Sequence, residues 1–279
     1  MLAMILTILC SSLLSVFMRM SEGKAKGKMT VLAVNYLTCI LLASGYSGVA
    51  TLFPAQAPGF SVTLLLGMIT GVFYMLTLVF NQKCIAKNGV VLSSVFAKLG
   101  SLLVPIIVAL FYDKAPSLCQ LIGAGLSVAA ILLITDNGRK GAAASLALML
   151  VLLLVEGISS SMGKIFNEEG AKALSDQYLF YTFGSALLIS AAAAVAKKEK
   201  PGLQELLYGV LIGVSNFFAS RFMLQAVDQV GAMIFYPTRG VMVILLITLA
   251  GVMLFHERLR KKQWLAMGII LLAVALLNM

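Results

Sequence analysis

The sequence is poor in charge. Of 279 residues only 11% are Asp, Glu, Lys or Arg, and just 11 residues are acidic, whereas an ordinary soluble domain carries roughly 25% charged residues. That scarcity excludes a soluble enzyme, a disordered chain and a nucleic-acid-binding domain. Histidine occurs once, as His256, so one chain cannot assemble an imidazole metal cluster, and no Ser/His/Asp constellation is visible. Cysteine is scarce too. Cys10, Cys39, Cys84 and Cys119 do not stand at metal-ligand spacing and read as small apolar residues rather than disulfides or a zinc site. No cofactor is expected. The N-terminal run MLAMILTILCSSLLSVF lacks a basic leader and a cleavage site, so it reads as a first membrane span rather than a signal peptide.

What the chain has in abundance is apolar sequence: 61% hydrophobic residues and a mean hydropathy of +1.01. A bilayer core of ~30 Å needs about 20 mostly apolar residues in a helix. Ten such runs are present, at 2–19, 29–50, 61–82, 88–112, 117–135, 142–165, 175–196, 202–224, 230–255 and 262–278. The gaps between them are short. Open strands cannot cross lipid, and the alternating pattern of a transmembrane barrel is absent. The expected fold is all-α and integral to the membrane, with ten transmembrane helices.

The chain also repeats itself. LLLGMITGV (64–72) matches LLYGVLIGV (206–214), which sets Gly67 and Gly71 opposite Gly209 and Gly213 at an offset of 142 residues. FYDKAPSLCQLIGAGLSVAAILLI (111–134) matches FHERLRKKQWLAMGIILLAVALLN (255–278) with a one-residue gap. Five spans per half is an odd number, so the second copy enters the bilayer upside-down relative to the first. The expected organisation is two inverted five-helix repeats, 1–138 and 139–279. Inverted repeats of this kind build secondary transporters with a central site. The four-residue glycine spacing, recurring in register, predicts close packing of spans 3 and 8.

Ten spans in two five-helix repeats, each with an acid after its fourth helix (Asp113 and Glu257) and a Gly-rich fifth helix, resemble the drug/metabolite transporter superfamily, EamA type. LFHERLRKKQWLAMGIILLAVALL is the most specific segment; its first-half counterpart departs from it by carrying Asp113 in place of the glutamate. The resemblance spans the whole chain and implies transport without naming a cargo.

Lysine and arginine are unevenly distributed. Gaps after odd-numbered spans hold fifteen of them, from Arg19 to Lys262, while gaps after even-numbered spans hold Lys114 and Lys172, with Lys164 nearby. Positive residues stay cytoplasmic, which places both termini outside; the family resemblance implies termini inside. The expected location is the cell membrane, as a multi-pass protein.

Three cations interrupt apolar runs: Lys98, Arg221 and Arg239. A charge at the bilayer centre costs at least roughly 2.5–3.5 kcal/mol, so such residues face a cavity or a partner. Lys98 and Arg239 both fall near mid-depth, and the offset of 142 sets Arg239 opposite Ala97, the neighbour of Lys98. Two facing cations repel unless an anion sits between them. Arg221 lies nearer a span end and reads equally as site or as interface anchor. Glu156 is the only acid well inside a span, either a counter-charge or a proton carrier; the rival reading is a static ion network. Ser94, Tyr236, Thr238, Tyr74, Asn216 and Asn35 add hydrogen-bonding or aromatic groups. Pro105 and Pro237 each remove a backbone hydrogen bond in the fourth helix of their half.

These features point to a secondary transporter moving a small polar, anionic or zwitterionic metabolite by alternating access, with Lys98 and Arg239 on the negative group. Without a GxxxxGK[ST] motif, energy would come from a proton gradient or exchange. The alternative is an exporter of hydrophobic cations or drugs coupled to protons through Glu156; a non-transporting membrane subunit is a third reading. The expected partners are a small-molecule substrate and the lipid bilayer, with no nucleic acid, and no enzymatic activity is expected.

Overall fold

The computed structural model describes residues 2–47, 52–94, 96–97, 99–101, 117–119, 122–123, 125–126, 142–230, 232–256 and 261–276. Among them no strand occurs. The helices are α1 (Leu2–Ser21), α2 (Lys28–Ser47), α3 (Phe60–Asn88), α4 (Val90–Ser101), α5 (Ala142–Glu169), α6 (Ser175–Ala196), α7 (Leu203–Val230), α8 (Ala232–Phe255) and α9 (Lys261–Leu276). Seven of these, all but α4 and α9, contain stretches long and apolar enough to cross a bilayer. Each matches a span expected from hydropathy to within a few residues at either end, except where α3 and α7 run six residues further at their C-terminal ends. The expected fifth span, 117–135, falls mostly outside the described residues.

Helix ends follow from local backbone chemistry. Gly89 takes φ 84°, a left-handed conformation that costs a glycine little. Its N–H closes on the carbonyl of Ile85 at 3.0 Å, which stops α3 and allows α4 to start at once. Within the spans, hydroxyls are satisfied by their own helix. Thr7, Ser12, Thr38, Thr70, Ser161, Ser215 and Thr248 each donate to the carbonyl four residues back, at 2.6–3.0 Å. This is the local solution for a hydroxyl without water.

The chain forms two compact units, each drawing on both halves of the sequence. The first comprises Met1–Val79 and Met162–Ala226, the second Phe80–Ser161 and Val227–Met279.

In the first unit the glycine steps act as helix seats. The position where a Cβ of Gly67 would sit is 2.8 Å from the Cβ of Tyr181 and 3.2 Å from the carbonyl oxygen of Tyr178, and that of Gly71 meets the Thr182 carbonyl and the Ser185 hydroxyl. Thus α3 lies directly on α6. For Gly209 the neighbours are the Cβ of Val34 at 2.5 Å and the carbonyl oxygen of Val31 at 3.1 Å; for Gly213 they are the Asn35 carbonyl and the Thr38 Cβ, both 2.6 Å away. So α7 lies directly on α2. Through the glycines, spans 3 and 8 each pack closely on another helix, and they meet one another at Tyr74 and Ser220. Each glycine pair receives a different helix.

Residue numbers rise together across both contacts, so the helices of each pair run parallel. By contrast α2 and α6, which pack against each other, run antiparallel: Thr30 meets Glu199 just past the end of α6, while Tyr36 meets Phe183 nearer its start.

In the second unit, Gly100 of α4 lies against the backbone of Leu153 in α5, and Cys84 Sγ points to the Leu148 carbonyl at 3.6 Å. Helices α8 and α9 pack together. All four cysteines are free thiols.

Candidate functional site

Three of the polar residues singled out from the sequence, Asn35, Tyr74 and Asn216, belong to the first unit, and the structure brings them into one neighbourhood. Asn216 Nδ2 donates to Asn35 Oδ1 at 3.2 Å, across the seat that Gly213 provides. Cys39 Sγ, one turn on, points to the Gly213 carbonyl at 3.3 Å. Tyr74 Oη and Ser220 Oγ are 2.9 Å apart. The Phe183 ring lies among Tyr36, Tyr74 and Phe217, with centroids 6.4, 5.9 and 6.4 Å away. Asn35, Tyr36, Phe183 and Phe217 are fully buried, and Asn216 and Ser220 nearly so.

Not every polar atom here is satisfied. Asn35 Nδ2, Tyr36 Oη and Thr182 Oγ1 have no hydrogen-bond partner, although the surrounding hydroxyls bond back along their helices. Leaving a buried polar group unpaired costs about 1–3 kcal/mol, so each such group calls for an explanation. Sequence reasoning singled out Asn35 but missed Thr182, Phe183 and Ser220. A signal was present in the second span of each half, where Asn35-Tyr36 and Thr182-Phe183 are both a polar residue followed by an aromatic.

Arg221 has its partners inside the first unit. Its guanidinium bonds Asp176 and lies over the Tyr46 ring, 4.0 Å from the centroid. A cation held between a carboxylate and an aromatic face has its charge matched inside the unit.

The opposite end of α2 is also held by charge. Glu205 Oε1 accepts from the backbone N–H groups of Lys26 and Gly27 at 2.8 and 3.1 Å. Glu199 Oε2 accepts from the N–H and hydroxyl of Thr30 at 2.8 and 3.1 Å. Lys28 pairs with Glu22 at 2.8 Å. Carboxylates placed on the first N–H groups of a helix satisfy donors that have no partner within it and complement its dipole.

The other site candidates fall in the second unit. Ser94 is buried and Glu156, Thr238 and Arg239 are half-buried. Glu156 is three residues beyond Leu153, where α4 touches α5. Lys98, Pro105, Asp113 and Glu257 lie outside the described residues, as do the side chains of Tyr236 and Pro237. Among the described residues no cluster of His, Cys, Asp and Glu is arranged to hold a metal.

Comparison with known proteins adds three findings. An uncharacterized protein of Haemophilus influenzae is 26% identical over 275 residues, covering 94% of this chain and 92% of its own length. A solved structure described as "Crystal structure of protein" aligns with a TM-score of 0.61 over 99% of this chain and 94% of its own, at 17% identity, a likeness of fold. The model of the EamA-like transporter family matches residues 144–279. With that match, the second half of this multi-pass membrane protein belongs to the EamA-like transporter family.

Proposed function

We propose that the protein is a secondary transporter that moves a small polar metabolite, anionic or zwitterionic, across the cell membrane by alternating access. One observation carries the reading: a hydrogen-bonding set, buried at Asn35, Tyr36, Asn216 and Ser220 and half-buried at Tyr74, within apolar, membrane-length helices, with donors left unpaired. Polar groups are expensive in such helices, and those that persist mark substrate paths or helix contacts. Here some make helix contacts and some make none, and a passing substrate accounts for the second kind.

The helix directions in the first unit support two inverted repeats. Spans 2 and 7 are counterparts and run antiparallel; the parallel pairs α2/α7 and α3/α6 exchange under a twofold. Ten spans arranged in this way give a carrier that rocks about a fixed site. Lys98 and Arg239 are assigned to the substrate's negative group, with Ser94, Tyr236 and Thr238 as neighbouring polar or aromatic groups. Glu156 is the counter-charge or proton carrier. Coupling is to protons or to exchange.

Uptake into proteoliposomes of radiolabelled succinate and alanine, with and without a pH gradient, tests the reading. Lys98→Gln and Arg239→Gln are each expected to abolish uptake while leaving the protein folded. Normal uptake in both variants removes those residues from the site. If only tetraphenylphosphonium is moved, and Glu156→Gln stops it, the protein is instead a proton-coupled exporter of lipophilic cations.

A further inference from the structure

The residues that receive the two glycine pairs correspond one by one. The Val31 and Asn35 carbonyls face Gly209 and Gly213 as the Tyr178 and Thr182 carbonyls face Gly67 and Gly71, and Val34 and Thr38 take the places of Tyr181 and Ser185. Every one of these pairs (31 with 178, 34 with 181, 35 with 182, 38 with 185) is 147 residues apart, whereas the glycines are 142 apart. The difference arises because the first half spends five more residues between Thr38 and Gly67 than the second spends between Ser185 and Gly209.

The same register pairs Tyr36 with Phe183, and these two rings meet. Positions that exchange under a twofold and also touch one another lie at its axis. Both rings are fully buried; they differ by one oxygen atom. Phe183 demonstrates that a benzyl ring fills this position. The Tyr36 hydroxyl adds no hydrogen bond to the packed helices. Beside it, Asn35 Nδ2 is also unpaired, and so is the hydroxyl of Thr182, the counterpart of Asn35. Two of these groups, the Asn35 amide and the Tyr36 hydroxyl, are donors in search of an acceptor.

We propose that Tyr36 is a specificity-determining residue: its hydroxyl, together with the Asn35 amide, donates hydrogen bonds to a carbonyl or carboxylate oxygen of the transported molecule at the axis of the first unit. The inference rests on the transport reading and adds a chemical requirement to it, an acceptor oxygen on the cargo. A site built to hydrogen-bond its ligand discriminates strongly against molecules lacking the matching group, because its own polar groups are then left buried and unpaired.

The test is thermal melting of purified wild type and Tyr36→Phe in detergent, alone and titrated with succinate, alanine, glutamine and tetraphenylphosphonium. With no addition, the variant is expected to melt no lower than the wild type. Among the oxygen-bearing probes, whichever stabilises the wild type is expected to need about tenfold higher concentration on Tyr36→Phe, the scale of one hydrogen bond to a charged group. A lower melting temperature of the unliganded variant would mean that the hydroxyl is structural, and overturns the proposal. An unchanged titration overturns it while leaving transport intact. Stabilisation of the wild type by tetraphenylphosphonium alone, or by none of the four, overturns the transport reading of this site and the proposal with it.

Discussion

The two glycine seats of the first unit share a backbone and differ in chemistry. On both, a parallel helix rests on a Gly-x-x-x-Gly step, with the same carbonyls and the same Cβ positions in contact. Yet the α2/α7 seat carries an amide pair, Asn35 with Asn216, and a thiol, whereas the α3/α6 seat carries Thr182, Phe183 and Tyr74. Charge is one-sided as well. The Arg221–Asp176 pair has Val79 and Met29 as its counterparts by the 142 and 147 registers. Packing is therefore repeated and polarity is not. Close approach is a demand that any pair of helices in lipid makes of small residues, while the hydrogen-bonding groups differ from one seat to the other.

The shared backbone is the easiest part of this comparison to break. In Gly71→Ala the new methyl group meets the Thr182 carbonyl and the Ser185 hydroxyl, and in Gly213→Ala it meets the Asn35 carbonyl at 2.6 Å. Main-chain atoms cannot rotate aside, so each change is expected to cost about 1–3 kcal/mol or more, read as a lower melting temperature in detergent. Gly71→Ala is expected to cost more than Gly209→Ala, whose nearest neighbour is a valine side chain. Equal and negligible losses would remove the seats as the source of the pairing.

The one-sided charge comes next. Arg221→Gln leaves Asp176 without its cation. Side-chain exposures of 18% and 34% place the pair between a surface bridge and a buried one, so roughly 1–3 kcal/mol is expected. The double variant Arg221→Gln/Asp176→Asn is expected to recover part of that loss. If the double variant melts below both single ones, the pair does not act as a unit.

The smallest effect sharpens the polar contrast. Tyr74→Phe removes one interhelical hydrogen bond, to Ser220, and such bonds average about 0.6 kcal/mol in membrane helices. Its melting temperature is expected to stay near that of the wild type. A large drop would show that Tyr74 anchors the unit and would weaken its assignment to substrate.

Much of this fold was legible in the sequence. Hydropathy located α1, α2, α3, α5, α6, α7 and α8 within a few residues at most ends, because the bilayer sets a minimum apolar length. The 142-residue glycine register, with Tyr74 paired to Asn216, was also readable, since glycine has no substitute at a backbone contact. The site was only partly readable. Asn35 and Asn216 stood out as polar residues in apolar runs, but their direct bond depends on how α7 seats on α2. The 147-residue register of α2 and α6 was hidden by a connection five residues longer in the first half and by a match in which only Leu32 and Leu179 are identical within the segment 31–39. Sequence left Arg221 open between site and interface anchor and did not show its partner Asp176, which is 45 residues away.

The hydrogen bonds at the start of α2 have a consequence for synthesis. Glu199 and Glu205 lie 169 to 179 residues downstream of the groups they satisfy. At ~5–20 residues per second, a ribosome needs roughly 10–35 seconds to cover that distance. During this interval the newly inserted α2 must rely on interfacial water for its leading N–H groups. The first half therefore waits in the bilayer with one helix end unlatched, and the arrival of Glu199 and of the first turn of α7, with Glu205, is what fastens it.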